Sequence, residues 1–439
     1  MITDDNKKLA QWAMEYALKN GCQAAKLVLY TNSNSSFELR DGKMDRLQQA
    51  TENGLGLSLY VDGRFGSFST NRLDKKELET LIKNGIDSTR YLAVDESRIL
   101  ADPARYYKGG KPDLQLFDKK LYDIHPDDKV ELARAAAEEV LGKDERIISV
   151  DSSYSDGEGS SYRLISNGFE GESKSTWFSV SASVSIKGEG EARPQDYWYD
   201  SALFYDKLTK TGIGAKALER VLRKLGQKKA KSGKYTMVVD PMNTGNLLGP
   251  MLSALYGSAL QQKNSFLLDK QDTKVASELF TLRDEPHVVG ANGSRYFDSE
   301  GVATQPRAIF DKGVLKTYFI DTYNGKKMNM APTISTPSRL ILTPGNKDLN
   351  GLVADVKSGI LVTGFNGGNS NSSTGDFSYG IEGFLIEDGK LVQPVNEMNV
   401  TGNMLSLWNS LAAVGNDPQR NRSWQIPSLV FEGVNFSGL

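Results

Sequence analysis

Apolar positions in residues 4–20 recur at helical spacing, with Leu9, Trp12, Ala13, Tyr16 and Ala17 on one face. This predicts an amphipathic helix that Asn20-Gly21 stops. Period-two runs follow at 25–30, 37–40, 43–47, 55–61 and 64–68. Four of these runs meet in pairs at Asp41-Gly42 and Asp62-Gly63. Asp and Gly tolerate the positive φ of a type I′ turn, so each pair predicts an antiparallel hairpin. Residues 74–91 return to helical spacing through Leu78, Leu81, Ile82 and Ile86. Helix, hairpins and helix make an α+β module over residues 1–100.

Residues 101–126 hold Pro103, Gly109, Gly110, Pro112 and Pro126 with little apolar periodicity, and predict an extended connector. A helix over 127–141 begins at Pro126-Asp127-Asp128. Alternating runs across 146–205 predict strands with one solvated face. Together with a basic helix in 213–234 they make a middle α+β segment, 127–234, packed with the N-terminal module. A strand at 235–239 opens a C-terminal domain, 235–439. Within it, 244–262 predicts one long helix with a core stripe of Leu247, Leu248, Met251, Leu252, Leu255, Tyr256 and Leu260. Gly249, Ser253 and Gly257 form a second line of small residues along it. Hairpins are predicted around Asp311-Lys312-Gly313 and Asp388-Gly389, and a last strand at 426–431. The predicted fold class is α+β. An N-terminal α+β domain with antiparallel hairpins precedes a β-rich C-terminal domain, a mixed sheet or barrel-like, with one buried helix.

The chain has 439 residues, 39% hydrophobic and 25% charged, which is ordinary globular composition with room for several cores. A net charge of −2 gives no overall bias toward polyanions. One cysteine, Cys22, excludes an internal disulfide and fits a reducing compartment. No leader-like or 18-residue apolar run occurs, so the expectation is a soluble cytoplasmic protein with no membrane partner. The basic run Lys216, Arg220, Arg223, Lys224, Lys228, Lys229, Lys231 and Lys234 faces one acid, Glu219. Nucleic-acid contact is one reading. A solvated helix face is the preferred one, because no aromatic residues interleave.

Hydrolytic metal chemistry needs imidazole, thiolate or carboxylate donors, usually three from the protein. The chain has two histidines, His125 and His287; neither is followed by Glu, and they cannot share a helix. No His-Glu-x-x-His motif, Gly-x-Ser-x-Gly elbow beside a histidine or phosphate-cradling loop is present. Asp298 with Glu300, or Asp376 with Glu382, could hold a hard cation; turn formation is the plainer role. Residues 363–378 are rich in Gly, Asn and Ser and predict a loop leading into the Asp388-Gly389 hairpin. Such a stretch, with Asn366, Gly367 and Gly368, lets a peptide backbone come close. A Ser or Thr nucleophile within it is a weaker reading.

Thr374-Gly375-Asp376-Phe377-Ser378, Gly383-Phe384-Leu385-Ile386-Glu387-Asp388-Gly389 and Asn399-Val400-Thr401-Gly402-Asn403-Met404 resemble the C-terminal signature of the TldD/PmbA family. Glu52-Asn53-Gly54-Leu55-Gly56-Leu57, Phe68-Ser69-Thr70-Asn71, Asp298-Ser299-Glu300-Gly301-Val302-Ala303-Thr304-Gln305 and Gly313-Val314-Leu315-Lys316-Thr317-Tyr318 extend the resemblance over nearly the whole chain. The family comprises metallopeptidases, known by an older name as modulators of DNA gyrase. Its catalytic members carry a His-Glu-x-x-x-His helix and a late cysteine. With Ser265-Phe266 held in register, the His, Glu and His fall on Leu248, Gly249 and Ser253. Residues 418–424, where the cysteine is expected, have none.

The chain therefore resembles the TldE/PmbA-type subunit, which lacks the metal motif. The resemblance implies no catalytic residue, metal ligand or cofactor in this chain, and zinc in a TldD-type partner. It implies a heterodimer acting on unfolded peptides, and leaves a homodimer open when the chain is alone. Asn366, Gly367, Gly368, Thr374, Gly375, Asp376 and Phe377 are then expected to line substrate. Leu248, Gly249 and Ser253 mark a degenerate active-site helix or a partner surface. The rival readings are a regulatory protein contacting DNA gyrase or nucleic acid through 213–234, and an autonomous peptidase with an unrecognised site.

Overall fold

The structure, a computed structural model, describes residues 2–439. Its first sheet has six antiparallel strands: β1 (Ala24–Arg40), β2 (Lys43–Val61), β3 (Arg64–Thr70), β4 (Ile147–Ile165), β5 (Phe169–Ile186) and β6 (Gln195–Ala202). Their order is β3-β2-β1-β4-β5-β6. β1 pairs with β2 on one side, Leu27 opposite Leu57, and with β4 on the other, Leu27 opposite Leu164. The segments before and after the connector thus share one sheet. Residues 31–36 stay in the ladder between the two predicted strands, because both neighbours supply partners for their backbone groups. The turns behave as the Asp-Gly pairs predict: φ is 51° and 74° at Asp41-Gly42, and 50° and 73° at Asp62-Gly63.

Four helices cover one face of this sheet. α1 (Asp4–Lys19) and α2 (Lys75–Thr89) lie over one end, on Leu27 and Leu29; α3 (Pro126–Glu138) and α4 (Ile213–Leu222) lie over the other, on Phe37 and Leu39. These four residues are alternate positions of one strand, so both helical pairs must sit on the same side. Thr3 and Asn6 cap α1 reciprocally, Asp74 caps α2, and the His125 imidazole accepts from Asp127 N at the start of α3. The two helices of the second pair touch closely. A methyl on Gly214 would lie 1.9 Å from the Ala136 carbonyl oxygen. Gly214→Ala gains up to about 1 kcal/mol of helix propensity. The clash outweighs it, and a net loss of about 2 kcal/mol is expected in urea unfolding.

The C-terminal part is a closed mixed barrel. β7 (Gly233–Val239), β12 (Ser358–Ser370), β13 (Asp376–Glu387), β14 (Lys390–Asn403) and β17 (Leu429–Ser437) form the ring. β12 runs parallel to β7, the other pairs are antiparallel, and Val400 opposite Phe436 joins β14 to β17. β15 (Leu411–Val414) adds to β17. A small sheet of β8 (Leu282–Asp284), β9 (Arg307–Asp311), β10 (Val314–Leu315), β11 (Leu340–Leu342) and β16 (Trp424–Gln425) lies beside it. The helices here are α5 (Thr244–Ser253), α6 (Gly257–Gln261), α7 (Thr322–Met328), α8 (Leu349–Ala354) and α9 (Met404–Asn409). α5 buries Leu247, Leu248, Met251 and Leu252. Trp408 of α9 is fully buried, packs against a tilted Phe280 ring and an edge-on Phe431 ring, and donates its indole N–H to the Leu247 carbonyl. This arrangement agrees with the expected fold class, buried helix included.

Two local expectations are corrected. The long helix over 244–262 is two helices, α5 and α6. Pro250 removes a hydrogen-bond donor inside α5. Tyr256 is extended, with φ −70° and ψ 140°, and Gly257 N donates to the Phe319 carbonyl at 2.8 Å. The line of small residues therefore stops at Ser253. The predicted loop over 363–378 is mostly strand. β12 continues to Ser370, with bulges after Val362 and Phe365, because β13 offers it a full partner, as at Gly368 opposite Tyr379.

The connector is stitched to both halves by aromatic contacts. Tyr106 meets Phe169 at 5.3 Å, Phe169 meets Phe297 at 5.1 Å, and Tyr107 stacks on Tyr296 at 5.1 Å. Arg105 donates to the Thr333 carbonyl and Tyr106 OH to Asn167. Among the described residues, no helix is long and apolar enough to cross a membrane.

Candidate functional site

Asn243 opens the site. Its backbone N–H and side-chain amide both donate to Asp240 Oδ1, at 3.1 and 2.7 Å, and the amide also donates to the Thr363 carbonyl at 2.8 Å. One side chain thus fixes the end of β7, the start of α5 and the point where β12 leaves β7. β7 pairs with Gly359 to Val362 of β12 and no further. Beyond Thr363 that edge of β12 has no neighbouring strand among the described residues. An unpaired edge carries free N–H and C=O groups and can accept an extended chain.

α5 turns Asn246, Gly249, Pro250 and Ser253 away from the core; Asn246 and Ser253 are exposed. A methyl placed on Gly249 would meet no atom within 4 Å. Leu248, by contrast, is fully buried. Of the three positions aligned with the metal motif, Gly249 and Ser253 share the accessible side and Leu248 belongs to the core. This donor set does not fit a zinc ion. The accessible side of α5 offers amide, hydroxyl and hydrocarbon. Among the described residues no three His, Cys, Asp or Glu side chains gather at a point. His125 caps α3 at the surface, and His287 pairs with Thr304 Oγ1 at 3.0 Å beside Tyr296. Burial lowers the His287 pKa.

The ribbon of β12 and β13 is anchored at its tip. Phe266 N donates to the Ser372 carbonyl at 2.9 Å, and the Ser372 and Ser373 hydroxyls donate to Asn264 Oδ1. On the other flank, Asn403 Nδ2 donates to the Thr374 carbonyl and to Asp376 Oδ1. Hydrogen bonds from Asn403 and Thr374 hold the Asp376 carboxyl below its ordinary value. Asn366, Gly367, Gly368, Thr374 and Asp376 are exposed, whereas Gly375 and Phe377 are buried. Gly368 has φ +100°, and a methyl there would sit 2.1 Å from the Ser378 carbonyl oxygen, so the bulge requires glycine. Asn264→Ala removes two acceptor contacts. Amide exchange over 371–375 is expected to quicken about tenfold, with little change in global stability.

The proposed cation pairs do other work. Asp298 accepts from Glu300 N, Val302 N and Ser335 N, which makes it a turn former. Glu382 pairs with Lys224 at 2.7 Å, away from Asp376. That ion pair belongs to a network not visible in the sequence. Lys224 also meets Asp196 at 3.2 Å; Arg220 meets Asp196 at 3.2 Å and lies 4.0 Å from Asp240. Two of the cations read as a basic surface are thus turned inward, joining α4 to β6, β7 and β13. Arg223, Arg220, Asp240, Asn350, Thr363 and Leu391 line a cleft of about 270 Å³ beside this network. Burial pushes the Asp240 carboxyl up to about 6, against hydrogen bonds from Asn243 and the charge of Arg220. Sequence spacing gave no signal for these pairs, since the partners lie on separate elements.

The sequence matches the PmbA/TldA metallopeptidase domain 1 over residues 25–89, the central domain over 119–225 and the C-terminal domain over 232–438. A Haemophilus influenzae protein named metalloprotease PmbA homolog is 29% identical over 98% of this chain and 96% of its own length. Metalloprotease PmbA of Escherichia coli O157:H7 is 26% identical over 98% and 97%. A crystal structure from Bacteroides thetaiotaomicron, named a candidate modulator of DNA gyrase, is 74% identical, covers 100% of both chains and superposes with a TM-score of 0.98. TldE from Thermococcus kodakarensis, at 19% identity, 98% and 100% coverage and a TM-score of 0.83, shares the fold.

Proposed function

This chain belongs to the PmbA/TldD metallopeptidase family, and from that premise we propose that it is a non-catalytic subunit. It holds extended, unfolded peptide for a zinc-bearing TldD-type partner in the cytoplasm. The observation that carries this reading is the accessible side of α5. Gly249 and Ser253, two of the three positions aligned with the metal motif, lie on it beside Asn246 and Pro250, and none of the four is an imidazole, thiolate or carboxylate. Beside it, the free edge of β12 supports the holding role. Main-chain hydrogen bonds from Gly364 onward can bind a peptide regardless of its sequence.

Mixing the purified chain with a TldD-type partner tests the proposal. Peptide cleavage is expected from the mixture, with zinc bound in the partner. Full zinc-dependent cleavage by this chain alone, or stoichiometric zinc in its pure form, would overturn it. The gyrase or nucleic-acid reading loses support from the inward-facing Arg220 and Lys224.

A further inference from the structure

A cleft of about 640 Å³ lies where the connector, the edge of β5 and residues 294–299 meet. It is separate from the open side of α5 and the β12 edge. β6 covers β5 only from Phe178 onward, so the strand edge at Glu172 to Lys174 borders the cleft. Tyr107 and Tyr296, stacked with an interplanar angle of 11°, and Phe297 supply an aromatic wall.

The lining carries four cations, Lys111, Arg163, Lys174 and Arg295, against three acids, Asp113, Glu172 and Asp298. Arg163 Nη1 donates to the Ser299 carbonyl at 2.8 Å, and its buried Nε finds no acceptor among the described residues. Arg295 donates to Ser338 Oγ, to Thr336 O and Oγ1 and to Pro337 O, all uncharged oxygens. Asp298, whose charge both arginines feel, is already committed to three backbone donors. Glu172 is matched by Lys7 at 2.6 Å. Lys111 and Lys174 stand exposed at the rim, over Tyr296 and Phe117. A half-buried guanidinium whose direct hydrogen-bond partners are all uncharged gains from a carboxylate brought against it. Aromatic walls with a few convergent polar groups at a meeting of domains are the usual build of a ligand site.

We propose that this cleft binds a carboxylate attached to an apolar or aromatic group. Such a group is carried by the C-terminal residue of a peptide and by a free aromatic acid. The carboxylate pairs with the arginine charge, and the ring or alkyl group packs on Tyr107 and Tyr296. The proposal stands whether or not the chain serves a peptidase. The plainer account is that both arginines only tether loops.

Calorimetric titration of the whole chain separates the two. The ligands are N-acetyl-phenylalanine, Gly-Gly-Phe and the C-terminal amide of each. Saturable binding of the acids is expected, with the amides about tenfold weaker. Lys111→Glu and Lys174→Glu, at exposed positions, are each expected to weaken the acids about threefold. Arg163→Gln is expected to abolish binding while circular dichroism stays native. The rim variants carry the test if that protein fails to fold. Tighter binding of the tripeptide assigns the cleft to peptide termini, and equal binding assigns it to small acids; both outcomes support a carboxylate site. Equal affinity for acid and amide, no saturable binding of any ligand, or acid binding untouched by both rim variants would overturn it.

Discussion

Lys224→Met is expected to lower the free energy of urea unfolding by about 3 kcal/mol. Lys224 is 8% exposed at its side chain and sits between Asp196, 6% exposed, and Glu382, 18% exposed. It also donates to the Gln195 carbonyl at 2.9 Å. Removing the cation takes away the one salt-bridge partner of Glu382 among the described residues and leaves Asp196 with Arg220 and the Tyr197 N–H. The loss comes from the abandoned charge more than from the missing attraction, because desolvating a carboxylate consumes most of what pairing returns. The pair of substitutions Lys224→Met and Glu382→Leu is therefore expected to recover most of the stability. A double variant as weak as the sum of its singles would refute this account. Hydrogen exchange should also rise in α4 and β13 together, since Lys224 bridges them.

Asp240→Asn is expected to gain about 2 kcal/mol at pH 7 and nothing near pH 4. The folded carboxyl titrates at about 6 against an ordinary 3.8, so the native chain holds this proton more tightly than the unfolded one. Wild-type stability from this group thus falls as pH rises from about 4 to 6, and the whole penalty is present above that window. Asparagine retains the Oδ1 acceptor for both Asn243 donors while removing the buried charge. Burial also raises Asp284 and Glu300, so the two proteins must be compared as a difference across pH 4–8. Parallel stability curves for the two would rule the account out.

Most of the strands could be read from the chain because their causes are local. Period-two runs and the Asp-Gly dipeptides at 41, 62 and 388 specify hairpins from within a few residues, and all three turns have both φ values positive. The closure of the ring could not be read, because Val400 and Phe436 carry no mark of each other. Apolar periodicity past Pro250 predicts one continuous helix, and the break at Tyr256 could not be read because its cause, the Gly257 to Phe319 hydrogen bond, is distant in sequence. Glycines and asparagines at 363–378 suggested a loop. A bulged strand needs the same residues, and only the partner β13 tells the two apart. For the candidate site, the register of the family resemblance groups Leu248 with Gly249 and Ser253, while helical spacing alone sets Leu248 in the core stripe, where it lies. The anchors Asn243, Asn264 and Asn403 were invisible, since each acts across long sequence separations.

The seam between β7 and β17, with Val239 opposite Leu429, bears on synthesis. On the ribosome, β7 emerges long before the strand that covers one of its flanks, whereas the N-terminal sheet already has every member it needs. The first half can thus settle during translation while the barrel waits as an open, sticky curl. Holdase chaperones should be met in that interval, and a pause in elongation before residue 429 should raise aggregation more than one placed before residue 233.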